Sequence, residues 1–92
     1  MNKADAQIMA DQYLAKIKTT CPIDIEFNYE ITEEYSTGYV FFYNSKKFWE
    51  TRDFNNSLAG NGPVLVLRET GDIVLLPSHQ SVRRSLHELG EI

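Results

Sequence analysis

The ten residues Ile23-Asp24-Ile25-Glu26-Phe27-Asn28-Tyr29-Glu30-Ile31-Thr32 alternate apolar and polar side chains without a break. Successive side chains of a strand point to opposite faces. The pattern therefore predicts one strand over residues 23–32, apolar on one face and acidic on the other. Alternate residues lie about 6.6 Å apart, so Asp24, Glu26 and Glu30 would line about 20 Å of one surface.

The pattern changes on both sides of this stretch. Upstream, Ala6, Met9, Ala10, Tyr13, Leu14 and Ile17 recur at three- and four-residue steps, which predicts an amphipathic helix over residues 4–18. Asn2 can cap it, Asp5 suits its positive end, and Pro22 forbids its continuation, placing its end at Thr19–Cys21. Downstream, Ser36-Thr37-Gly38 predicts a turn into a second strand over residues 39–43. Both parities of that strand are apolar, as in a central strand covered on both faces. Residues 64–67 and 73–76 form a hairpin around residues 68–72, where Gly71 suits the positive φ of the turn. Pro77 closes the fourth strand. Ser78 can cap a short last helix with Val82, Leu86 and Leu89 on one face and Gly90 as its stop.

The order is helix, four strands, helix: an α+β two-layer sandwich with a four-stranded antiparallel sheet, read as a single domain over residues 1–92. The later strands look apolar on both sides, yet one long helix covers only one face. The long loop, the short C-terminal helix or another chain, such as a second copy in a homodimer, must cover the other. Ser45–Gly62, SKKFWETRDFNNSLAGNG, shows no period, and connections of that length are usually functional or specially packed.

With 92 residues and 10.6 kDa there is enough chain for one core, and 42% hydrophobic residues place it among folded proteins. One cysteine excludes an internal disulfide. No apolar stretch approaches the roughly 20 residues that span a bilayer, and MNKADAQIMADQ does not read as a signal peptide, so a cytoplasmic setting without membrane contact is expected. The net charge of −4 argues against a general nucleic-acid binder. Asp24, Glu26, Glu30, Glu33 and Glu34 fall in residues 19–45 with no Lys or Arg among them. That segment carries −5, while nine bases against eight acids leave the rest at +1.

No catalytic set assembles. Cys21 reads as a small filler residue and would need His79 or His87 beside it to act as a nucleophile. The histidines are eight residues apart, without the one-turn spacing that chelates a metal, so neither metal nor cofactor is expected. Glu33 and Glu34 are consecutive and point apart on a strand. Gly60-Asn61-Gly62 runs into Pro63 and a strand, not into a helix that could cradle phosphate. Gly38–Tyr43 matches the aromatic strand of RNA-recognition domains poorly and reads as core. Lys46-Lys47 and Arg83-Arg84 read as solvated surface. Two features remain as candidate partner-binding groups: the carboxylates Asp24, Glu26, Glu30 and Glu34, and the loop aromatics Phe48 and Trp49 together with Phe54. Each has a plain alternative, solubility for the acids and core plugging for the rings.

GYVFFYNSKKF followed by SLAGNGPVLVLRETGDI resembles the YrhB-type family, immunity protein 35 of bacterial polymorphic toxin systems. Gly38, Tyr39, Phe41, Tyr43 and Ser45, the block Leu58-Ala59-Gly60-Asn61-Gly62-Pro63, and then Thr70 and Gly71 carry the resemblance. After the fourth strand the chain departs from the family's Gly-Thr turn and acidic helix, with Leu76-Pro77-Ser78-His79 and Arg83-Arg84. The resemblance implies a small cytoplasmic, non-enzymatic protein that binds and neutralises a cognate toxin. Gly60, Gly62 and Pro63 read as backbone punctuation, with Asn61 tying the loop. The alternative is a chaperone-like or stress-related small binding protein that uses an under-covered sheet face.

Overall fold

The computed structural model describes residues 2–21, 23–58, 62–78 and 80–88. Its elements are α1 (Lys3–Lys18), β1 (Ile25–Phe27), a 3-10 turn (Tyr29–Ile31), β2 (Glu33–Tyr35), β3 (Gly38–Phe41), β4 (Tyr43–Ser45), α2 (Lys46–Thr51), a second 3-10 turn (Phe54–Asn56), β5 (Val64–Leu67), β6 (Ile73–Leu75) and α3 (Val82–Glu88). The class is α+β, as expected: a first helix, antiparallel sheets and a short last helix. Asn2 caps α1, its Oδ1 accepting from the Asp5 N–H at 2.9 Å. The helix closes through Thr20 and Cys21 N–H groups on Ile17 O. Pro22 lies outside the described residues, as do Ala59, Gly60, Asn61, His79, Leu89 and Gly90.

The strand expected over residues 23–32 is one three-residue strand followed by a 3-10 turn, with β2 beginning only at Glu33. Only β1 keeps the alternation, with Ile25 and Phe27 buried. Asn28 then folds its Oδ1 onto the Glu30 N–H at 3.2 Å, a local bond that competes with strand pairing and starts the 3-10 turn. Ile23 and Ile31, at the ends of the alternating run, are exposed. The expected strand 39–43 also divides, at Phe42. Residues 38–41 stay in a four-stranded sheet ordered β2-β3-β5-β6, and 43–45 pair with β1 in a separate two-stranded sheet.

Pairing puts Tyr39 opposite Val66 and Phe41 opposite Val64 on one face, and Val40 opposite Leu65 on the other. On the first face they pack with Ala6, Ala10 and Leu14 of α1 and with Ile25 and Phe27. On the second, Val40 and Leu65 pack with Leu76 and with Leu86 of α3, flanked by Tyr35, Phe42, Leu67, Val74 and Val82. The C-terminal helix thus covers the second face, which occupies the surface the chaperone-like alternative would use. Its cap is Ser81 in place of Ser78: Ser81 Oγ accepts from the Arg84 N–H at 3.2 Å.

Two glycines of the resemblance, Gly38 and Gly62, have steric reasons. A Cβ on Gly38 would overlap the Val66 carbonyl, and one on Gly62 would overlap the Leu76 carbonyl. Both backbones approach too closely for any side chain. Gly71 takes φ 75° in the hairpin turn, as its position predicts.

Candidate functional site

The periodless stretch after β4 is tied down residue by residue. Ser45 is buried, and its Oγ does two things at once. It accepts from the Phe48 N–H at 3.0 Å, capping α2, and donates to the Asn56 carbonyl at 2.5 Å. Beside it, Asn44 Oδ1 accepts from Leu58 N–H at 2.8 Å while Nδ2 donates to Ser57 Oγ at 2.9 Å. Two adjacent side chains therefore hold both ends of residues 46–58. At the far end of α2, Arg52 takes the left-handed conformation at φ 57° and donates its N–H to Phe48 O. Asp53 and Thr51 bond locally to turn the chain into the second 3-10 turn.

This framework holds three rings together. Phe48 lies 5.3 Å from Trp49 and 5.8 Å from Phe54, with both pairs inclined, and the Arg52 guanidinium sits 5.1 Å from the Trp49 ring centre. Inclined rings and a cation over an indole are each favourable arrangements. Trp49 is anchored from below, its Nε1–H donating to the Glu26 carbonyl at 2.8 Å. Phe54 is 83% exposed. Trp49 is thus half plug and half platform, and Phe54 lies open to solvent upon the cluster.

Of the candidate acids, Asp24 and Glu26 reach α2 through their backbone carbonyls. Glu26 is on β1 directly under Trp49, and the Asp24 carbonyl accepts from Lys46 N–H at 2.9 Å. A shallow cleft of about 420 Å³ runs between Ile23, Asp24, Lys46, Lys47, Glu50 and Thr51. Its rim mixes both signs: Asp24 lies just before β1, while α2 contributes Lys46, Lys47 and Glu50. Glu30 is exposed on the 3-10 turn, past the bend that breaks the expected row. Glu34 is elsewhere: on β2, in the other sheet, it takes Arg68 at 3.1 Å. Arg68 also donates to Tyr39 Oη and the Tyr35 carbonyl and lies over the Tyr39 ring. The hydrogen bond to Glu34 holds its guanidinium above the ordinary arginine value. The structure therefore groups Phe48 and Trp49 with Phe54 and Arg52, ties Glu26 to Trp49 and Asp24 to Lys46 through their backbone carbonyls, and leaves Glu34 in a structural pair.

Arg52 and Asn44 escaped the reading of the sequence. A single asparagine between two strand residues carries no periodic signal, although Asn-Ser before an aromatic pair is a recognisable capping sequence. Cys21 packs against the α1-side core, whereas His87 sits on α3 across the sheet. Burial raises the Tyr43 hydroxyl above its ordinary pKa, with Tyr13 and Cys21 adding to it, and burial raises Tyr35 with help from its bond to Glu33. Among the described residues, no three His, Cys, Asp or Glu side chains are grouped to hold a metal ion, and no helix is long and apolar enough to cross a membrane.

No curated protein and no solved structure matches the chain. The family described as Immunity protein 35 matches it over residues 4–88, from the first turn of α1 to the end of α3. That span includes both sheets, the Asn44–Ser45 clasp and the aromatic cluster, and the chain belongs to the Immunity protein 35 family.

Proposed function

We propose that this chain is a non-enzymatic immunity protein that acts in the bacterial cytoplasm by binding a cognate toxin domain and blocking it, with the α2 surface as the contact. Family membership supports the role. The observation that carries the surface is Phe54, 83% exposed and inclined against Phe48 at 5.8 Å within a segment clasped at both ends. An exposed ring held rigid loses little freedom on binding, and aromatic side chains with arginine are the usual anchors of interfaces. Burying such a ring is worth about 1.5–3 kcal/mol. Asp24 and Glu26 add a negative rim that speeds encounter with a basic toxin surface, with Glu30 contributing from the 3-10 turn.

The test is rescue from toxicity and pull-down with the product of the neighbouring gene. Wild type is expected to rescue and bind. Phe54→Ser should weaken binding about tenfold or more while leaving thermal stability unchanged, because the ring is exposed. Asp24/Glu26/Glu30→Lys should slow association and reduce its salt dependence. If the lysine variant bound as fast and as tightly as wild type, the acidic rim would have no part in recognition. Rescue by Phe54→Ser at undiminished affinity would remove the α2 surface from the contact.

A further inference from the structure

The four-stranded sheet has two edges, and they are built differently. Hydrogen-bonded and non-bonded pairs alternate along an antiparallel ladder. Leu67 N–H donates to Asp72 O at 2.9 Å and Leu76 N–H to Pro63 O at 3.0 Å. With Leu65 opposite Val74, it is Val74 whose backbone groups face inward to β5. Ile73 and Leu75 then turn their N–H and C=O groups outward, and no other described segment bonds to them. The three residues of this edge carry no charge, and Leu75 is 60% exposed. The β2 edge is the opposite case. Arg68 N–H bonds Thr37 O, so Val40 and Gly38 face β2 and pair with Glu33 and Tyr35. The residue left facing outward is Glu34, a charged guard tied to Arg68.

We propose that β6 is a self-association edge, at which a second copy of the chain pairs antiparallel about a two-fold axis through Val74 and joins the two sheets into one. The edge is complementary to itself. With Val74 opposite its symmetry mate, Ile73 of each copy faces Leu75 of the other, and every outward N–H meets an outward C=O. Leu75 and Ile73 side chains share a face, so the exposed Leu75 packs on its neighbour across the seam. The Asp72 carboxylates fall opposite Leu76 and not opposite each other. A foreign strand would need its own apolar match to this short edge; a second copy brings one by symmetry. Three residues a side bury far less than the roughly 1,200 Å² of a stable assembly, so the dimer is weak. Each copy carries −4, so screening the mutual repulsion tightens it. This inference does not depend on the toxin reading.

Sedimentation velocity from about 10 µM to about 1 mM, at low and high salt, tests it. The expected result is a monomer that gives way to a dimer as concentration and salt rise. Leu75→Lys places a charge in the seam and should weaken the dimer about tenfold, since two cross-strand pairs are lost together. Leu75→Pro removes an outward donor without removing a ladder bond, and should do the same with an unchanged circular dichroism spectrum. Should the proline variant unfold, the lysine variant decides. A monomer under all conditions, or a dimer indifferent to Leu75→Lys, would overturn the proposal. So would a Leu75→Lys variant that loses toxin capture but keeps its self-association, which would assign the edge to the toxin.

Discussion

Tyr29 shows how much one side chain can do once the chain bends. Its hydroxyl donates to Asp11 on α1, and its ring lies 5.6 Å from Phe27 and 5.9 Å from Phe41. Burial of the phenol, then the bond to Asp11 and the charge of that carboxylate, raise its pKa far above the ordinary 10.0. In the unfolded chain the phenol ionises near 10, while in the folded protein it keeps its proton. The stability that follows is fully present below pH 10 and is lost as pH rises from there toward the folded value. Urea midpoints should therefore hold level up to about pH 9.5 and fall above pH 10. Tyr29→Phe should lower stability at neutral pH by about 1 kcal/mol and flatten the alkaline fall, with Tyr35 and Tyr43 leaving a residue of it. An alkaline fall as steep in the variant as in wild type would show that Tyr29 does not cause it. In the sequence Tyr29 was legible as apolar, one member of an alternation. Its partner Asp11 was not, because eighteen residues and a helix-to-strand reversal separate them.

At the scale of elements, the clasp on α2 is the part that local sequence described least. Six residues are too few to display a helical period, so Lys46–Thr51 looked like loop. What makes them helical is capping: Ser45 at one end and the left-handed Arg52 at the other. The resemblance had singled out Ser45 without a reason, and its double bond to Phe48 and Asn56 supplies one. Ser45→Ala should cost about 1–2 kcal/mol for the lost cap, and more because the Asn56 carbonyl is left without its donor. Trp49 is the only tryptophan, so its fluorescence reports the clasp directly. The variant should show a red-shifted emission together with a lowered urea midpoint. An unshifted emission and midpoint would mean that Asn44 alone holds the segment.

The whole molecule depends on both faces of its sheet being covered by short pieces. Leu86 of α3 is fully buried against Val40, Leu65 and Leu76. Leu86→Ala should therefore destabilise by about 2–5 kcal/mol, measured as a fall in the urea midpoint. For a domain of this size that is a large share of the total, and the variant should expose enough of the second face to bind a hydrophobic dye. A loss below about 1 kcal/mol would mean that α3 docks without contributing to the core.

By itself the sequence determined the α+β class, the first helix and its cap, the two-sided apolar strands, the Gly71 hairpin and the family resemblance. Each rests on side chains within a few positions of one another, where periodicity and turn chemistry act. Only the tertiary structure decided where the strands break, that α3 covers the second face, that Glu34 is spoken for by Arg68, and that the Glu26 carbonyl anchors Trp49 of the Phe48–Trp49–Phe54 cluster. Those outcomes depend on which distant segments arrive at the same place. Arg68 reaches Glu34 across 34 positions and Trp49 reaches Glu26 across 23, and no local pattern records a meeting that packing alone arranges.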